Sequence, residues 1–337
     1  MEWGEVLDAL TVGKDLSADE TAWAMAEMMD GRVTFEQFAS FTKGLRAKEE
    51  TTEEILGLVR VMRERSQKVV SEGRLIDTAG TGGDGAGTIN VSTIAAIVMA
   101  GAGARVAKHG NRAASSSCGS ADLLEELGVK LDPGPERVAE CIDEAGIGFM
   151  FAPAFHPAMK HVAPFRKELG VPTIFNFLGP LTNPAGAEHQ VIGVSDADMA
   201  PKMMEVLGQL GSSRALSFQG EGGVDEITTW GRTMTWELRE GTVDAGMIDP
   251  AELGIKPGAL GDIAGGDPST NAKIAMAILD GNGGGQTLDV ILLNAAAGLM
   301  IAGIAGNMED GLELSRESVD SGKAKMALQG LVECSNR

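Results

Sequence analysis

With 337 residues, 43% of them hydrophobic and 23% charged, the chain can bury a large core and form one main domain plus a smaller one, and extended disorder is excluded. A formal net charge of -20 opposes general affinity for nucleic acid, and the lack of tyrosine removes phenolic acid–base chemistry and stacking platforms for bases. Three scattered cysteines argue against a disulfide framework or zinc site, and Met1-Glu2-Trp3-Gly4-Glu5 does not resemble a secretory signal, so a cytoplasmic location is expected.

The first 70 residues carry three capping-box patterns: Ser17 with Glu20, Thr34 with Gln37, and Thr51 with Glu54. Each precedes a helical apolar pattern, which predicts a small all-helical domain over residues 1–70, with breaks at Gly31, Gly44 and Gly73. From Arg74 the pattern changes. Residues 75–79 read as a strand, Gly80 to Gly87 as a glycine-rich loop, 92–102 as a helix and 104–108 as a second strand. A serine-rich turn then leads into a helix over 122–127. Further strands are expected at 148–151, 189–194 and 215–219, a β region rich in Thr and Trp near 228–238, and long Ala-rich helices after it.

This alternation is the signature of an α/β fold with a mostly parallel central sheet over residues 71–337. The apolar run 290–306 is shorter than the roughly 20 residues a membrane span needs and contains Asn294, so it reads as a buried helix.

Gly80-Thr81-Gly82-Gly83-Asp84-Gly85 contains the G-x-G-x-x-G pattern between a strand and a helix. A dinucleotide site would want an acidic residue about 20 positions on; residues 103–107 offer none, and Asp84 sits awkwardly beside a bare pyrophosphate. The loop still offers backbone amides open to phosphate, and Asn90-Val91-Ser92-Thr93 adds polar groups at a helix N-terminus. A second segment, Lys108 to Asp122, follows the next strand with cations and hydroxyls and would face the same crevice.

GTGGDG with NVST, then KHGNRAASSSCGSAD, resembles the two signature segments of the anthranilate phosphoribosyltransferase family. His156 to Lys160, Arg166 to Gly170 and Phe175 to Pro184 resemble its third block, and Gly223-Val224-Asp225-Glu226 its acidic metal motif. The resemblance implies a nucleoside phosphorylase/phosphoribosyltransferase-like architecture, a helical domain joined by helices from about 157–185, and a homodimer formed through it. It also implies transfer of the 5-phosphoribosyl group of phosphoribosyl pyrophosphate (PRPP) to the amine of anthranilate, a step of tryptophan biosynthesis.

Carried over position by position, the resemblance implies PRPP contacts at Gly80, Gly83, Asp84 and Thr88 in the first loop and at Asn90, Val91, Ser92 and Thr93 at the helix start. In the second segment it implies Lys108, His109, Gly110, Asn111, Arg112, Ala113, Ala114, Ser115 and Ser116, with Ser120 closing the pocket. Ser92, Asp225 and Glu226 would serve Mg²⁺, as two ions, while Gly80, Asn111, His156, Arg166 and Gly179 would line the anthranilate path. Hard oxygen ligands suit Mg²⁺, and the fork of Arg166 matches a carboxylate.

No catalytic dyad is evident; leaving-group stabilisation by Lys108 and metal suffices, because an aromatic amine already carries its lone pair. A pyrimidine nucleoside phosphorylase is the nearest rival, and Asp225-Glu226 with the block around Arg166 favours the transferase. A non-catalytic relative that binds nucleic acid would want a basic stripe and degraded motifs, neither of which fits this chain.

Overall fold

The computed structural model describes residues 1–113 and 116–337. Ala114 and Ser115, expected to touch PRPP, lie outside the described residues.

The chain begins with α1 (Trp3–Thr11), α2 (Ala18–Met29), α3 (Phe35–Lys48) and α4 (Thr52–Glu64). All three expected capping boxes form: Ser17, Thr34 and Thr51 accept from the amides of Glu20, Gln37 and Glu54, whose side chains reach back to the cap amides. Glu54 does more than cap. It accepts from Leu16 N–H at 2.8 Å and from Lys48 Nζ at 2.7 Å, so one buried carboxylate ties the starts and ends of neighbouring helices.

Gly31 (φ 71°) follows α2 as expected, but Gly44 breaks nothing and lies inside α3. A Cβ there would stand 2.9 Å from Leu10 Cβ, so this glycine lets α3 approach α1. The turn after α3 falls instead at Glu49, with φ 68°.

Next come β1 (Ile76–Gly80), α5 (Val91–Gly101), β2 (Val106–Gly110), α6 (Ser120–Glu126), α7 (Pro135–Ala145) and β3 (Ile147–Phe151). The chain then leaves the sheet through α8 (Ala152–Phe155), a 3-10 turn (Pro157–His161), α9 (Ala163–Leu169) and α10 (Phe175–Leu181). This excursion packs on the N-terminal helices. Phe165 lies 5.6 Å and Phe175 5.5 Å from the ring of Phe38, and Val162, Leu178 and Leu181 share a buried cluster with Met25 and Leu58. The sheet resumes with β4 (His189–Gly193), α11 (Met199–Gln209), β5 (Arg214–Gln219), β6 (Thr233–Arg239) and β7 (Thr242–Ile248). Helices α12 (Pro268–Leu279), α13 (Gly285–Ile301), α14 (Met308–Asp320) and α15 (Lys323–Ser335) end the chain.

Among the described residues the sheet has seven strands in the order β3-β2-β1-β4-β5-β6-β7. The first five are parallel, and β6 and β7 are antiparallel. The expected β region near 228–238 is displaced, because 228–232 form a turn and the pairing runs from Thr233 into β7. One face of the sheet carries the helical domain through α11, while α5, α13 and α15 cover the other. Helix α13 is sheathed in protein, and among the described residues no helix is long and apolar enough to cross a membrane.

Strand order reverses between β1 and β4, whose last residues, Gly80 and Gly193, are paired in register. Such a reversal opens a crevice at the carboxyl ends of the strands, the place where α/β sheets bind ligands.

Candidate active site at the carboxyl edge of the sheet

Both strands flanking the crevice end in glycine because Asp225 occupies the space their side chains would take. A Cβ on Gly80 would meet Asp225 Oδ2 at 2.4 Å, and one on Gly193 would meet the Asp225 carbonyl oxygen at 1.7 Å. Gly82 N–H then donates to Asp225 Oδ2 at 2.7 Å. Gly82 and Gly83 adopt φ of 66° and 84°, a backbone that costs L side chains roughly 1–2 kcal/mol. Ser195, just past β4, anchors the loop from the other side: its Oγ donates to Gly82 O at 2.8 Å and its N–H to Thr81 Oγ1 at 3.0 Å. Thr88 bridges to Ala264, which fixes the far end of the loop.

Helix α5 starts at the crevice with no side-chain cap, because the Asn90 amide is engaged elsewhere. It donates to Cys118 O and accepts from Asn271 Nδ2, both at 2.9 Å, so Asn90 ties the first loop to the second segment. The start of α5 therefore keeps amides available for an anion. Val91 is buried, Ser92 is half-buried, and the buried Thr93 Oγ1 has no partner among the described residues.

Lys108, 2% exposed on β2, donates to Thr78 O at 2.6 Å and to Ser92 Oγ at 3.4 Å. Burial lowers its pKa, while Asp77 and Glu226 pull it back up. Asp77 on β1 accepts from His109 N–H at 3.1 Å and from Asn183 Nδ2 at 2.7 Å. Burial raises its pKa, and the Lys108 ammonium opposes the rise. Neither Asp77 nor Asn183 was expected at the site. A carboxylate in the apolar strand Leu75 to Ala79 was the available signal.

The second segment is held by Asp122, whose Oδ2 accepts from the amides of Ala113 and Gly119, both at 2.9 Å. Ser120 Oγ donates to Asn111 O at 3.2 Å and sits where a Cβ on Gly110 would be. Ser116 is exposed, with its Oγ 3.4 Å from Cys118 O. Arg112 bonds Asp122 and Glu125 and stands 5.6 Å from the Phe151 ring centroid, so two carboxylates already answer its charge.

The acidic pair lies under the first loop, with Asp225 8% and Glu226 7% exposed. Burial, then the charge of Asp84, pushes the Asp225 carboxyl up to about 7. Burial, then Asp225, raises Glu226 well above the carboxylate range, with Lys108 opposing. Asp84 itself receives Ala86 N–H at 3.1 Å and Asp225 N–H at 3.4 Å. The negative charges of Asp84, Asp225 and Glu226 disfavour one another's ionisation, and a hard divalent cation, which prefers oxygen ligands, would relieve that repulsion.

On the neighbouring side, His109 and His156 lie with ring centroids 5.1 Å apart. His156 Nε2 is 3.1 Å from Thr182 O. Burial holds both rings neutral, lowering His109 to about 3 and His156 to about 4. Arg166, on α9, is exposed with its guanidinium 5.7 Å from the Phe175 ring centroid. Surrounding protein lowers its pKa without an opposing carboxylate. A Cβ on Gly179 would meet open space.

The family described as "Glycosyl transferase family, a/b domain" matches residues 72–325, and "Glycosyl transferase family, helical bundle domain" matches 4–66. An anthranilate phosphoribosyltransferase of Pelotomaculum thermopropionicum is 49% identical over 95% of this chain and 93% of its own length. The chain belongs to the anthranilate phosphoribosyltransferase family. Another family member, from Herpetosiphon aurantiacus, is 46% identical over the whole of both chains. The solved family structure from Thermus thermophilus superposes with a TM-score of 0.93 at 43% identity, covering 98% of this chain and 99% of that one. The Saccharomyces cerevisiae family structure in complex with PRPP and Mg superposes with a TM-score of 0.91 at 27% identity, covering 99% and 98%.

Proposed function

We propose that this chain transfers the 5-phosphoribosyl group of PRPP to the amine of anthranilate, releasing pyrophosphate, as a step of tryptophan biosynthesis. The observation that carries the reading is the meeting of Gly82 N–H, Asp225 and the Lys108–Ser92 pair at one strand edge beside an uncapped helix start. The pyrophosphate is held by the first-loop amides, the start of α5 and the second segment. Asp225 and Glu226, with Ser92, hold Mg²⁺, as two ions with the bound PRPP. The metal supplies positive charge against the pyrophosphate oxygens.

Lys108 adds positive charge on the same side, where negative charge grows as the anomeric bond breaks. Arg166 receives the anthranilate carboxylate, with Asn111, His156 and Gly179 along the acceptor path. His109 and His156, held near 3 and 4, are too weakly basic to act as general bases at neutral pH. None is needed for an aromatic amine. Positioning therefore carries the chemistry.

We also place the domain boundary near residue 70, with 157–185 packed on the helical part, and expect a homodimer in the cytoplasm. The deciding assay follows fluorescence as anthranilate and PRPP react, with Mg²⁺ and after exhaustive chelation, beside thymidine plus phosphate. Turnover only with anthranilate, PRPP and metal is expected. Phosphorolysis of thymidine, or transfer undiminished by chelation, would overturn the reading.

A further inference from the structure

Asn294 sits in the middle of α13, flanked by Val290, Ile291, Leu292, Leu293 and Ala295, and is 3% exposed. A buried amide in such a helix needs partners, and all of those it finds are backbone groups. Its Oδ1 accepts from Ile227 N–H at 3.1 Å, and its Nδ2 donates to Ile227 O at 3.0 Å and to Val290 O at 2.9 Å. Two opposite backbone groups of one residue are thus gripped by one side chain, which fixes both the position and the rotation of the chain there. Ile227 directly follows Asp225-Glu226. On the other side of the pair, Gly220 N–H donates to Val224 O at 2.8 Å, and Gly82 N–H holds the Asp225 carboxylate. The backbone that carries Asp225 and Glu226 is thus tied down on both sides, at Val224 and at Ile227.

We propose that Asn294 is a positioning residue for the metal-holding pair: it clamps Ile227 so that the Glu226 carboxylate faces the cation that accompanies PRPP. The inference rests on the reading of Asp225 and Glu226 as the metal pair. Partners that orient metal ligands typically change affinity by about 10–100-fold when removed.

The test titrates Mg²⁺ into full-length wild type, Asn294→Ala, Asn294→Asp and Glu226→Gln in the presence of saturating PRPP, by calorimetry. Thermal melting and the KM for anthranilate are measured alongside. Asn294→Asp keeps size and the Oδ acceptor, so it serves where Asn294→Ala fails to fold. Expected is a weakening of Mg²⁺ binding by about 10-fold or more in the Asn294 variants, with the anthranilate KM within about twofold of wild type. Lower melting with unchanged Mg²⁺ binding would leave Asn294 only a structural role and overturn the proposal. Unchanged Mg²⁺ binding in Glu226→Gln would instead overturn the underlying metal assignment.

Discussion

Replacing Gly80 by alanine tests how tightly the site is built. The added methyl would lie 2.4 Å from Asp225 Oδ2 and 3.1 Å from its Cγ. Ordinary contact begins near 3.4 Å, so the carboxylate must retreat by about 1 Å. That retreat breaks the 2.7 Å hydrogen bond from Gly82 N–H, the shorter of two bonds that couple Asp225 to the first loop. A hydrogen bond to a charged group contributes about 1.5–3 kcal/mol, and about 1.4 kcal/mol is a factor of ten in rate. We therefore expect kcat/KM for PRPP to fall about 10- to 100-fold in Gly80→Ala. Strand β1 is not itself crowded by the methyl, so melting should shift by only a few degrees. The assay is initial-rate fluorescence with PRPP varied at saturating anthranilate and Mg²⁺. A variant within about twofold of wild type would refute the claim that Asp225 is held in this position by the bare edge of β1.

Other outcomes follow from the same geometry. The Asp225 carboxyl is raised from 3.8 to about 7, so the stability tied to its bound proton is full below about pH 4 and is lost as pH rises through about 7. Metal-free Asp225→Asn should thus gain on wild type in melting temperature between about pH 4 and 8. The neutral histidines tilt stability the other way in both proteins, so the comparison carries the test, and parallel curves would contradict it. Arg166→Ala should raise the anthranilate KM about 10- to 100-fold while leaving the PRPP KM nearly unchanged, and equal effects on both would remove Arg166 from the acceptor path. Gly44→Ala sets helix propensity, worth up to about 1 kcal/mol, against overpacking of α3 on Leu10 at about 1–3 kcal/mol. Calorimetry should find a lower melting temperature, and a higher one would mean that α1 yields.

The sequence by itself determined what depends on neighbours a few positions away. The capping boxes at Ser17, Thr34 and Thr51 form as written because cap and partner are three residues apart on one turn of helix. The parallel strands were legible as short apolar runs between helices. The two signature segments were legible because turns and helix starts announce themselves through Gly, Ser and Asn.

Only the tertiary structure decided which residues meet across the chain. Asn183 reaches Asp77 over 106 positions, Ser195 reaches Thr81 over 114, and Asn294 reaches Ile227 over 67. The same holds for Gly44, whose role is set by Leu10 and not by its own helix, and for Gly193, whose missing side chain makes room for Asp225. The pKa shifts of Asp225, Glu226 and Lys108 belong here too, because they come from the desolvation of polar groups by distant segments, which the local pattern around these residues does not report. Local hydrogen bonding is encoded by spacing, whereas desolvation and long-range pairing exist only once distant segments share one low-dielectric space.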